Sequence, residues 1–195
     1  MSTLIVFTDI VEKIILIVLV LLSIWSFAII IDRRRFFKIH LNIQNYRDIQ
    51  SDMKNDKLKT NQTVDNQNFY SVVYSQFSQQ SVVHIDRAYA SFIKDHKENL
   101  EKGLNVLATL GANAPFIGLF GTVLGIIRAM AFLGNQSGSA SVVSGVSQAL
   151  YATAVGLFVA IPAVVSFNYF NYEIKKAFQK AESLKDLYIV KNQLK

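Results

Sequence analysis

The sequence predicts an all-α membrane protein with three transmembrane helices and long cytoplasmic helical extensions. Hydrophobic residues make up 51% of the 195 positions, and they are concentrated in three blocks. Each block reaches about 20 residues, the length that a helix needs to cross the hydrocarbon core of a bilayer. Residues 32–103, between the first block and the second, are polar over much of their length. This uneven distribution is typical of a helical membrane protein rather than of a soluble globular domain.

The chain begins with a short mixed segment and the first span. Residues 1–13 combine apolar and charged side chains, so we interpret them as a periplasmic segment that forms either an interfacial helix or the start of the span. Residues 14–31 carry no charge and are predicted to form the first transmembrane helix. No basic leader or small-residue cleavage site accompanies this block, so we expect a retained span and not a secretory signal.

The polar region, residues 32–103, is predicted to be a cytoplasmic helical segment with two parts. Residues 42–68 are rich in Asn, Gln, Asp and Lys, and the stretch 51–68 within them indicates a solvated linker or turn. Residues 69–100 place apolar side chains at helical spacing. This spacing predicts one long amphipathic helix that runs into the second span.

Two further spans are predicted close together in the C-terminal half. The second covers residues 104–133 and the third covers residues 142–170. The periplasmic loop between them, residues 134–141, is short and rich in glycine and serine, so the two spans are expected to form an antiparallel hairpin. Residues 171–195 are charged and contain no proline, which predicts that the third span continues as a cytoplasmic C-terminal helix.

The placement of basic residues predicts the orientation of the chain. Of the 20 lysines and arginines, twelve lie in residues 32–103 and six lie in residues 171–195. Basic residues are retained on the cytoplasmic side, so both regions are predicted to be cytoplasmic and the N-terminus periplasmic. Topology therefore accounts for most of the net charge of +6, and no nucleic-acid partner is expected.

The second and third spans contain small and polar residues that a simple lipid anchor does not require. Small residues let helix backbones approach closely, so both spans are expected to pack against other helices. The amides of Asn113 and Gln148 are hard to satisfy within one helix, and they indicate a polar lumen or interhelical hydrogen bonds. The candidates for lumen lining or packing are Asn113, Pro115, Gly121, Gly125, Ser144 and Pro162.

Arg128 is the only charged residue between Gly103 and Asn171. It is predicted to lie near the outer interface, where it reaches towards water or lines the outer mouth of a pore. A proton relay needs a group that titrates near neutral pH, and hydroxyl and amide side chains do not. If the chain conducts protons, a partner is therefore expected to supply the carboxylate.

Several function classes are disfavoured. The chain has no cysteine, which excludes thiolate metal sites and cysteine nucleophiles. The three histidines lack metal-ligand spacing, and neither a P-loop nor a nucleophile elbow is present in the sequence. We therefore expect no metal site, no cofactor, no catalytic residue and no enzymatic activity.

Two stretches of the sequence resemble a known family. LATLGANAPFIGLFGTVLGIIRAM (residues 107–130) and SGVSQALYATAVGLFVAIPAVVSFNYF (residues 144–170) resemble the ExbB/TolQ branch of the MotA/TolQ/ExbB proton-channel family. The first span and the polar region match that family only in topology. The resemblance implies a homo-oligomeric ring, expected to be a pentamer, in the inner membrane of a Gram-negative bacterium.

The resemblance also implies partners. In this family the second and third spans surround single-span helices of an ExbD- or TolR-like partner, whose membrane-embedded aspartate carries protons. Proton flow turns the partner helices, and the force reaches the outer membrane directly or through a TonB- or TolA-like protein. The carboxylate that the second and third spans lack would thus belong to the partner, and membrane lipids would surround the ring.

Three residues correspond to the family's lumen-lining positions. Thr122 in GLFGTV and Thr153 in ALYATA match two threonines that lie near the partner's aspartate, and a hydroxyl can hydrogen-bond that group in either protonation state. Gln148 stands where ExbB and TolQ usually have glutamate. Glutamine keeps the size and the hydrogen bonding, so a positioning role is expected without the charge.

Three functions are compatible with these observations. The first is a ring subunit that converts proton motive force into work at the outer membrane. The second is a non-conducting structural scaffold for partner helices, which the neutral Gln148 favours. The third is a stator subunit of a gliding- or flagellar-type motor, although the lack of a large cytoplasmic insertion disfavours the flagellar form.

Overall fold

A computed structural model of the chain describes residues 2–55, 68–78, 82–133 and 139–193, and every regular element in these ranges is helical. In chain order the elements are α1 (Ser2–His40), α2 (Ile43–Lys54), α3 (Phe69–Ser78), a short 3-10 helix (Val82–His84), α4 (Ile85–Glu101), α5 (Leu104–Leu133) and α6 (Ser139–Gln193). Helices α1, α5 and α6 are long and apolar enough to cross a membrane. The predicted all-α class with three membrane-spanning helices is confirmed.

The chain forms two compact units, and α1 and α6 contribute residues to both. Unit 1 consists of Met1–Ile30 and Gly103–Asn168, and unit 2 consists of Ile31–Lys102 and Tyr169–Lys195. The division follows the change from apolar to charged sequence along α1 and α6. Unit 1 therefore contains nearly all residues that were predicted to lie in the membrane.

The core of unit 1 is formed by α1, α5 and α6. Ile15 and Leu19 of α1 are buried in one cluster with Ala114 of α5 and with Val159 and Ala160 of α6. Helix α5 has the same bounds as the expected second span, and the position of the membrane along it stays a prediction. Two of the three buried side chains that α5 and α6 contribute to this cluster are alanines.

The helices α1 and α6 extend beyond the predicted spans. Helix α1 begins at Ser2, so residues 2–13 are the first turns of the helix that contains the first span, and they do not form a separate interfacial helix. Helix α6 runs without interruption through Pro162 to Gln193, which confirms the predicted helical extension at the C-terminus. Helix α5 likewise continues through Pro115.

The predicted linker, residues 51–68, is partly wrong, because α2 extends over its first four residues. Asn42 caps this helix, and its side-chain oxygen accepts a hydrogen bond from the backbone N–H of Gln44 at 3.0 Å. Ile49 and Met53, four residues apart, bury one side of the helix. One cap and one apolar pair suffice for a helix in this polar sequence. The rest of the predicted linker, residues 56–67, lies outside the described residues, as do residues 134–138 of the predicted loop.

The prediction of one long helix over residues 69–100 that runs into the second span is wrong. Helix α3, the 3-10 helix and α4 occupy this region, and α4 ends at Glu101. Gly103 has a φ of 78°, in the left-handed region that glycine adopts without the steric cost of a side chain. A right-handed helix cannot continue through that conformation, so α4 and α5 are separate helices.

The core of unit 2 consists largely of aromatic side chains. The ring centroid of Phe69 in α3 lies 5.4 Å from that of Phe92 in α4 and 6.0 Å from that of Phe178 in α6. Phe77 is completely buried near the rings of Tyr89 and Tyr188. These rings join α3, α4 and α6 by burying large apolar surfaces.

Candidate functional site

The candidate site lies in unit 1, where α5 and α6 meet at two glycines. A Cβ atom placed on Gly118 would lie 2.6 Å from the backbone oxygen of Ala152, and one on Gly156 would lie 2.7 Å from the backbone oxygen of Ala114. Cβ atoms do not approach backbone oxygens so closely, so only glycine fits at both positions. The two helix backbones are therefore in direct contact, as the small residues of the sequence predict.

Two of the predicted packing residues, Gly121 and Gly125, lie in the same interface. A Cβ atom on Gly121 would lie 2.7 Å from the Cβ of Ala152, and one on Gly125 would collide with Ala149. The position beside Gly121 is also approached by Ile15 of α1, at 3.5 Å. These two glycines thus let α6 pack against α5, with α1 nearby.

The two predicted lumen-lining threonines differ in their hydrogen bonds. The side chain of Thr122 is almost fully buried, and its hydroxyl donates to the backbone oxygen of Leu119 at 2.6 Å. The hydroxyl of Thr153 is also buried, but it has no hydrogen-bond partner among the described residues. The Cα of Thr153 lies 3.0 Å from the Cβ position of Gly118, which places Thr153 beside the glycine contact. One hydroxyl is satisfied within its own helix and the other is not.

The remaining predicted residues are less enclosed. Asn113 is exposed, and its side-chain amide donates to the backbone oxygen of Thr109 at 2.9 Å. One N–H of its amide is therefore satisfied within its own helix, and its part in a polar lumen or an interhelical hydrogen bond stays a prediction. Ser144 is exposed, and Pro115 and Pro162 are half-buried. Their contribution to a lumen stays a prediction.

Arg128 is buried within unit 1 and joins all three of its helices. Its Nη1 donates to the carboxylate of Asp9 and lies 3.0 Å from Oε2 of Glu12, both on α1. Its Nη2 donates to Oε1 of Gln148 on α6 at 3.0 Å. The side chain of Arg128 is only 8% exposed, and a buried guanidinium requires such counter-charges and acceptors. Its predicted role at the outer mouth of a pore stays a prediction.

Glu12 is the most enclosed member of this cluster, which we call the Arg128 cluster (Asp9, Glu12, Arg128 and Gln148). The residue is 2% exposed, and its carboxylate oxygens accept no hydrogen bond among the described residues. A Cβ atom on Gly125 would lie 3.5 Å from its Oε1, so the carboxylate lies directly beside α5. The ion pair with Arg128 is therefore its main stabilising interaction.

The two acids of the Arg128 cluster were not among the predicted site residues. Asp9 and Glu12 were predicted to belong to a periplasmic segment, although a lone arginine in a span needs a counter-charge. Asp9 and Glu12 are three residues apart, which places both carboxylates on one face of a helix. That spacing was the available signal. The acidic residue absent from residues 104–170 is thus supplied beside α5 by α1.

Comparisons with known proteins agree with the resemblance. Residues 50–183, more than two thirds of the chain, match the MotA/TolQ/ExbB proton channel family. The chain is 50% identical over 90 residues to the biopolymer transport protein ExbB of Xanthomonas campestris pv. campestris. The aligned residues make up 45% of this chain and 35% of that protein. It is 33% identical over 180 residues to the Tol-Pal system protein TolQ of Haemophilus influenzae, which covers 82% of this chain and 79% of that protein.

A third relative shows how the match is distributed. The Tol-Pal system protein TolQ of Pseudomonas aeruginosa is 45% identical over 89 residues, covering 45% of this chain and 38% of that protein. The chain thus aligns with little more than a third of the Xanthomonas and Pseudomonas proteins. The family match contains Thr122, Arg128, Gln148 and Thr153 but excludes Asp9 and Glu12.

Proposed function

Because the chain belongs to the ExbB/TolQ branch of the MotA/TolQ/ExbB proton channel family, we propose that it is the ring-forming subunit of a proton-driven motor in the bacterial inner membrane. Several copies, expected to be five, surround single-span helices of an ExbD- or TolR-like partner. The N-terminus is periplasmic and the C-terminus cytoplasmic. The motor converts proton motive force into work at the outer membrane, either directly or through a TonB- or TolA-like protein.

The observation that carries this proposal is the buried, unpaired hydroxyl of Thr153. A buried polar group without a hydrogen-bond partner costs about 1–3 kcal/mol, so such groups are rare and usually have a functional reason. Threonine in a helix adopts two χ1 rotamers, so a change of rotamer can turn this hydroxyl towards a carboxyl group on a partner helix, which supplies the missing bond. A hydroxyl can donate to a carboxylate and can accept from a carboxylic acid, so Thr153 can bind the partner's aspartate before and after proton transfer.

Gln148 offers a second hydrogen-bond donor for the partner's carboxylate. Arginine has only donors, so the oxygen of the Gln148 side chain must face Arg128, as the 3.0 Å hydrogen bond requires. The amide nitrogen of Gln148 is then turned away from Arg128 and remains able to donate to a carboxylate. A neutral donor can thus replace the glutamate that is usual at this position.

The Arg128 cluster also bears on which group moves protons. Glu12 is held by Arg128 in an ion pair, and breaking that pair would leave a buried charge without compensation. A carboxylate committed in this way is a poor proton carrier. The partner's aspartate therefore remains the proposed relay, and Glu12 is assigned to holding α1 against α5.

The principal alternative is a non-conducting scaffold that assembles partner helices. The observation in its favour is the neutral Gln148, together with an arginine that ties α1, α5 and α6 to each other. A stator subunit of a gliding- or flagellar-type motor would use the same proton chemistry for a different load.

Proton flux into liposomes tests the proposal. The complex of this chain with its single-span partner is reconstituted, a potassium diffusion potential is applied, and internal pH is followed with a dye. Thr153→Val removes the hydroxyl with little change of shape, and we expect flux to fall by about tenfold or more, the factor that corresponds to about 1.4 kcal/mol in a barrier. Native mass spectrometry of the variant is expected to show an unchanged ring.

Thr109→Val is the matched control, because its exposed hydroxyl donates to the backbone oxygen of Asn105 on the same helix. Equal flux through the two valine variants would contradict the assignment of Thr153. No flux through the unmodified complex, with the partner's aspartate intact, would support the scaffold. Unchanged flux in Gln148→Glu would weaken the argument for the scaffold, because it would show that the neutral side chain at this position makes no difference to conduction.

A further inference from the structure

Unit 2 contains a cavity that the proposed motor does not use. Its volume is about 290 Å³, at the lower end of the range for small-molecule pockets. Helices α1, α3 and α4 contribute its wall, together with Asn68 before α3 and Lys102 after α4. The lining combines apolar side chains, such as Phe36 and Leu100, with polar and basic ones, and the guanidinium of Arg33 lies 4.7 Å from the ring centroid of Phe36.

The lining of this cavity has two cations and, among the described residues, no acid. Arg33 and Lys102 both line it. Arg33 is held in place, because its Nη1 donates to the backbone oxygen of Asn99 at 3.3 Å and its other side is paired with Asp32. Asp32 offsets part of that charge, and Lys102 keeps the wall positive.

Asn68 supplies a buried donor without an acceptor. The residue is fully buried, and its side-chain oxygen accepts from the backbone N–H of Tyr70 at 2.9 Å, which caps α3. This bond leaves the amide nitrogen, which has no hydrogen-bond partner among the described residues. Asn68 lines the cavity, so its buried donor without a partner supports a ligand with an acceptor atom at this place.

Two histidines in the same wall have one nitrogen fixed and one available. The Nδ1 of His40 lies 3.0 Å from the backbone oxygen of Phe36, and the Nδ1 of His96 lies 2.9 Å from that of Phe92. A carbonyl can only accept, so both Nδ1 atoms carry a proton and Nε2 is the remaining polar atom. In the neutral ring Nε2 only accepts and suits a cation, whereas the doubly protonated ring donates from Nε2 and suits an anion. Arg33 and Lys102 repel a cation, so the wall favours an anion.

We propose that this cavity binds a phosphate monoester through the amide nitrogen of Asn68, Arg33 and Lys102. A phosphate group presents several acceptor oxygens, which suits donors that converge from different helices. The ester substituent contacts the apolar lining residues Phe36 and Leu100. The phosphate belongs either to a soluble ester or to the headgroup of an anionic lipid, since Arg33 follows the predicted end of the first span by two residues. This site is independent of the proposed motor function.

Calorimetry on the full chain, purified in detergent as its oligomer, tests the proposal with two matched probes. Glycerol phosphate and dihexanoyl phosphatidic acid carry the same headgroup and differ in their acyl chains. Saturable binding of both identifies a soluble ester as a sufficient ligand, and binding of the phosphatidic acid alone identifies a lipid. Binding of neither probe would overturn the proposal.

Asn68→Asp separates a ligand site from a structural role. Aspartate keeps the capping oxygen of α3, so the helix remains capped, but the donor becomes a negatively charged acceptor. We expect affinity to fall by about tenfold or more, the effect of losing a hydrogen bond to a charged group, with unchanged circular dichroism. Equal affinity of the variant and the unmodified chain would overturn the proposal.

Arg33→Gln should weaken binding similarly, whereas Arg34→Gln should change it by less than about twofold. Both changes remove one positive charge from α1, but Arg34 is exposed and does not line the cavity. Equal losses would mean that net charge alone attracts the probe and would overturn the assigned site. Zinc binding that requires His40 and His96, without phosphate binding, would identify a metal site instead. Proton flux through the Asn68→Asp complex is expected to be normal, so this test and the flux test fail independently.

Discussion

Within each of the two units of this chain, the helices pack through a different kind of contact. In unit 1, α5 and α6 meet at glycines and alanines, with backbone atoms in contact at Gly118 and Gly156. In unit 2, α3, α4 and α6 meet through aromatic rings such as Phe69 and Phe77. Lipid solvates large apolar side chains as well as protein does, so helices in a bilayer gain little by burying them and associate through close backbone packing. In water, burial of large apolar surfaces is the main stabilising contribution.

The ion pairs of the two units also differ, because the pair in unit 1 is more deeply buried than the pair in unit 2. The ion pair of Arg128 with Glu12 in unit 1 is almost completely buried. In unit 2, Lys185 lies 3.0 Å from Asp86, whose side chain is 79% exposed. A buried pair is costly to break, whereas a pair open to water contributes little. Four substitutions therefore test whether each unit depends on the contacts that distinguish it.

The largest effect is expected from Arg128→Leu in unit 1. This change leaves Glu12 buried without a counter-charge, and we expect the free energy of unfolding to fall by about 4 kcal/mol. Unfolding by SDS in mixed micelles measures this value. Lys13→Leu is the control, because Lys13 forms an exposed pair with Asp9 and should lose less than about 1 kcal/mol. If adding Glu12→Gln to Arg128→Leu restores none of the stability, the ion pair is not the cause.

The next largest effect is expected from Phe77→Ala in unit 2. Phe77 is completely buried, so its truncation leaves a cavity between the rings of Tyr89 and Tyr188. We expect a loss of about 3 kcal/mol in the free energy of unfolding. Tyr172→Ala, at an exposed position of the same unit, should cost less than about 1 kcal/mol. Similar losses from the two changes would mean that aromatic burial does not hold unit 2 together.

A smaller effect is expected from Gly118→Val in unit 1. The added side chain meets backbone atoms of Ala152 and Thr153, which cannot rotate away, and overpacking of this kind costs about 2 kcal/mol. Thermal unfolding of the purified chain in detergent measures the loss. Ala112→Val, at an exposed position of α5, is the control and should have little effect. Equal stability of the two variants would show that close approach of α5 and α6 is not required.

The smallest effect is expected from Asp86→Asn in unit 2. The hydrogen bond from Lys185 to Asp86 raises the pKa of Lys185 above its ordinary value. A raised pKa stabilises the folded chain below the pKa of the unfolded state, and this contribution is lost as pH rises through the folded-state pKa, above about 10.4. The substitution should lower stability at pH 8 by less than about 1 kcal/mol, because the pair is exposed.

The pH dependence separates this ion pair from other effects of Asp86, which also lies in the first turn of α4. The stability difference between Asp86→Asn and the unmodified chain should shrink in denaturant titrations as pH is raised towards about 12. Asp95→Asn, an exposed change on the same helix, should show no such trend. A difference that stays constant up to that pH would assign the effect to the helix dipole.

Features that depend on residues close together in the chain could be predicted from the sequence. The bounds of α5, the continuation of α6 and the close packing around Gly121 and Gly125 follow from hydrophobic length, charge and small-residue content. The break before α5 could also have been found, because glycine after a helix is a common terminator. Helix α2 was missed because composition conceals a cap at Asn42 and one buried pair.

The sequence by itself determined the class of protein: apolar blocks of sufficient length with small residues specify membrane helices, because these properties depend on the local chain alone. Only the tertiary structure decided the environments of individual polar groups. Asp9 is 119 residues from Arg128 in the sequence, but its carboxylate accepts a hydrogen bond from Arg128 and is one of its counter-charges. The buried hydroxyl of Thr153 and the unpaired amide nitrogen of Asn68 are likewise invisible in the sequence. Whether these particular polar atoms are satisfied depends on which distant atoms surround them, and packing determines that.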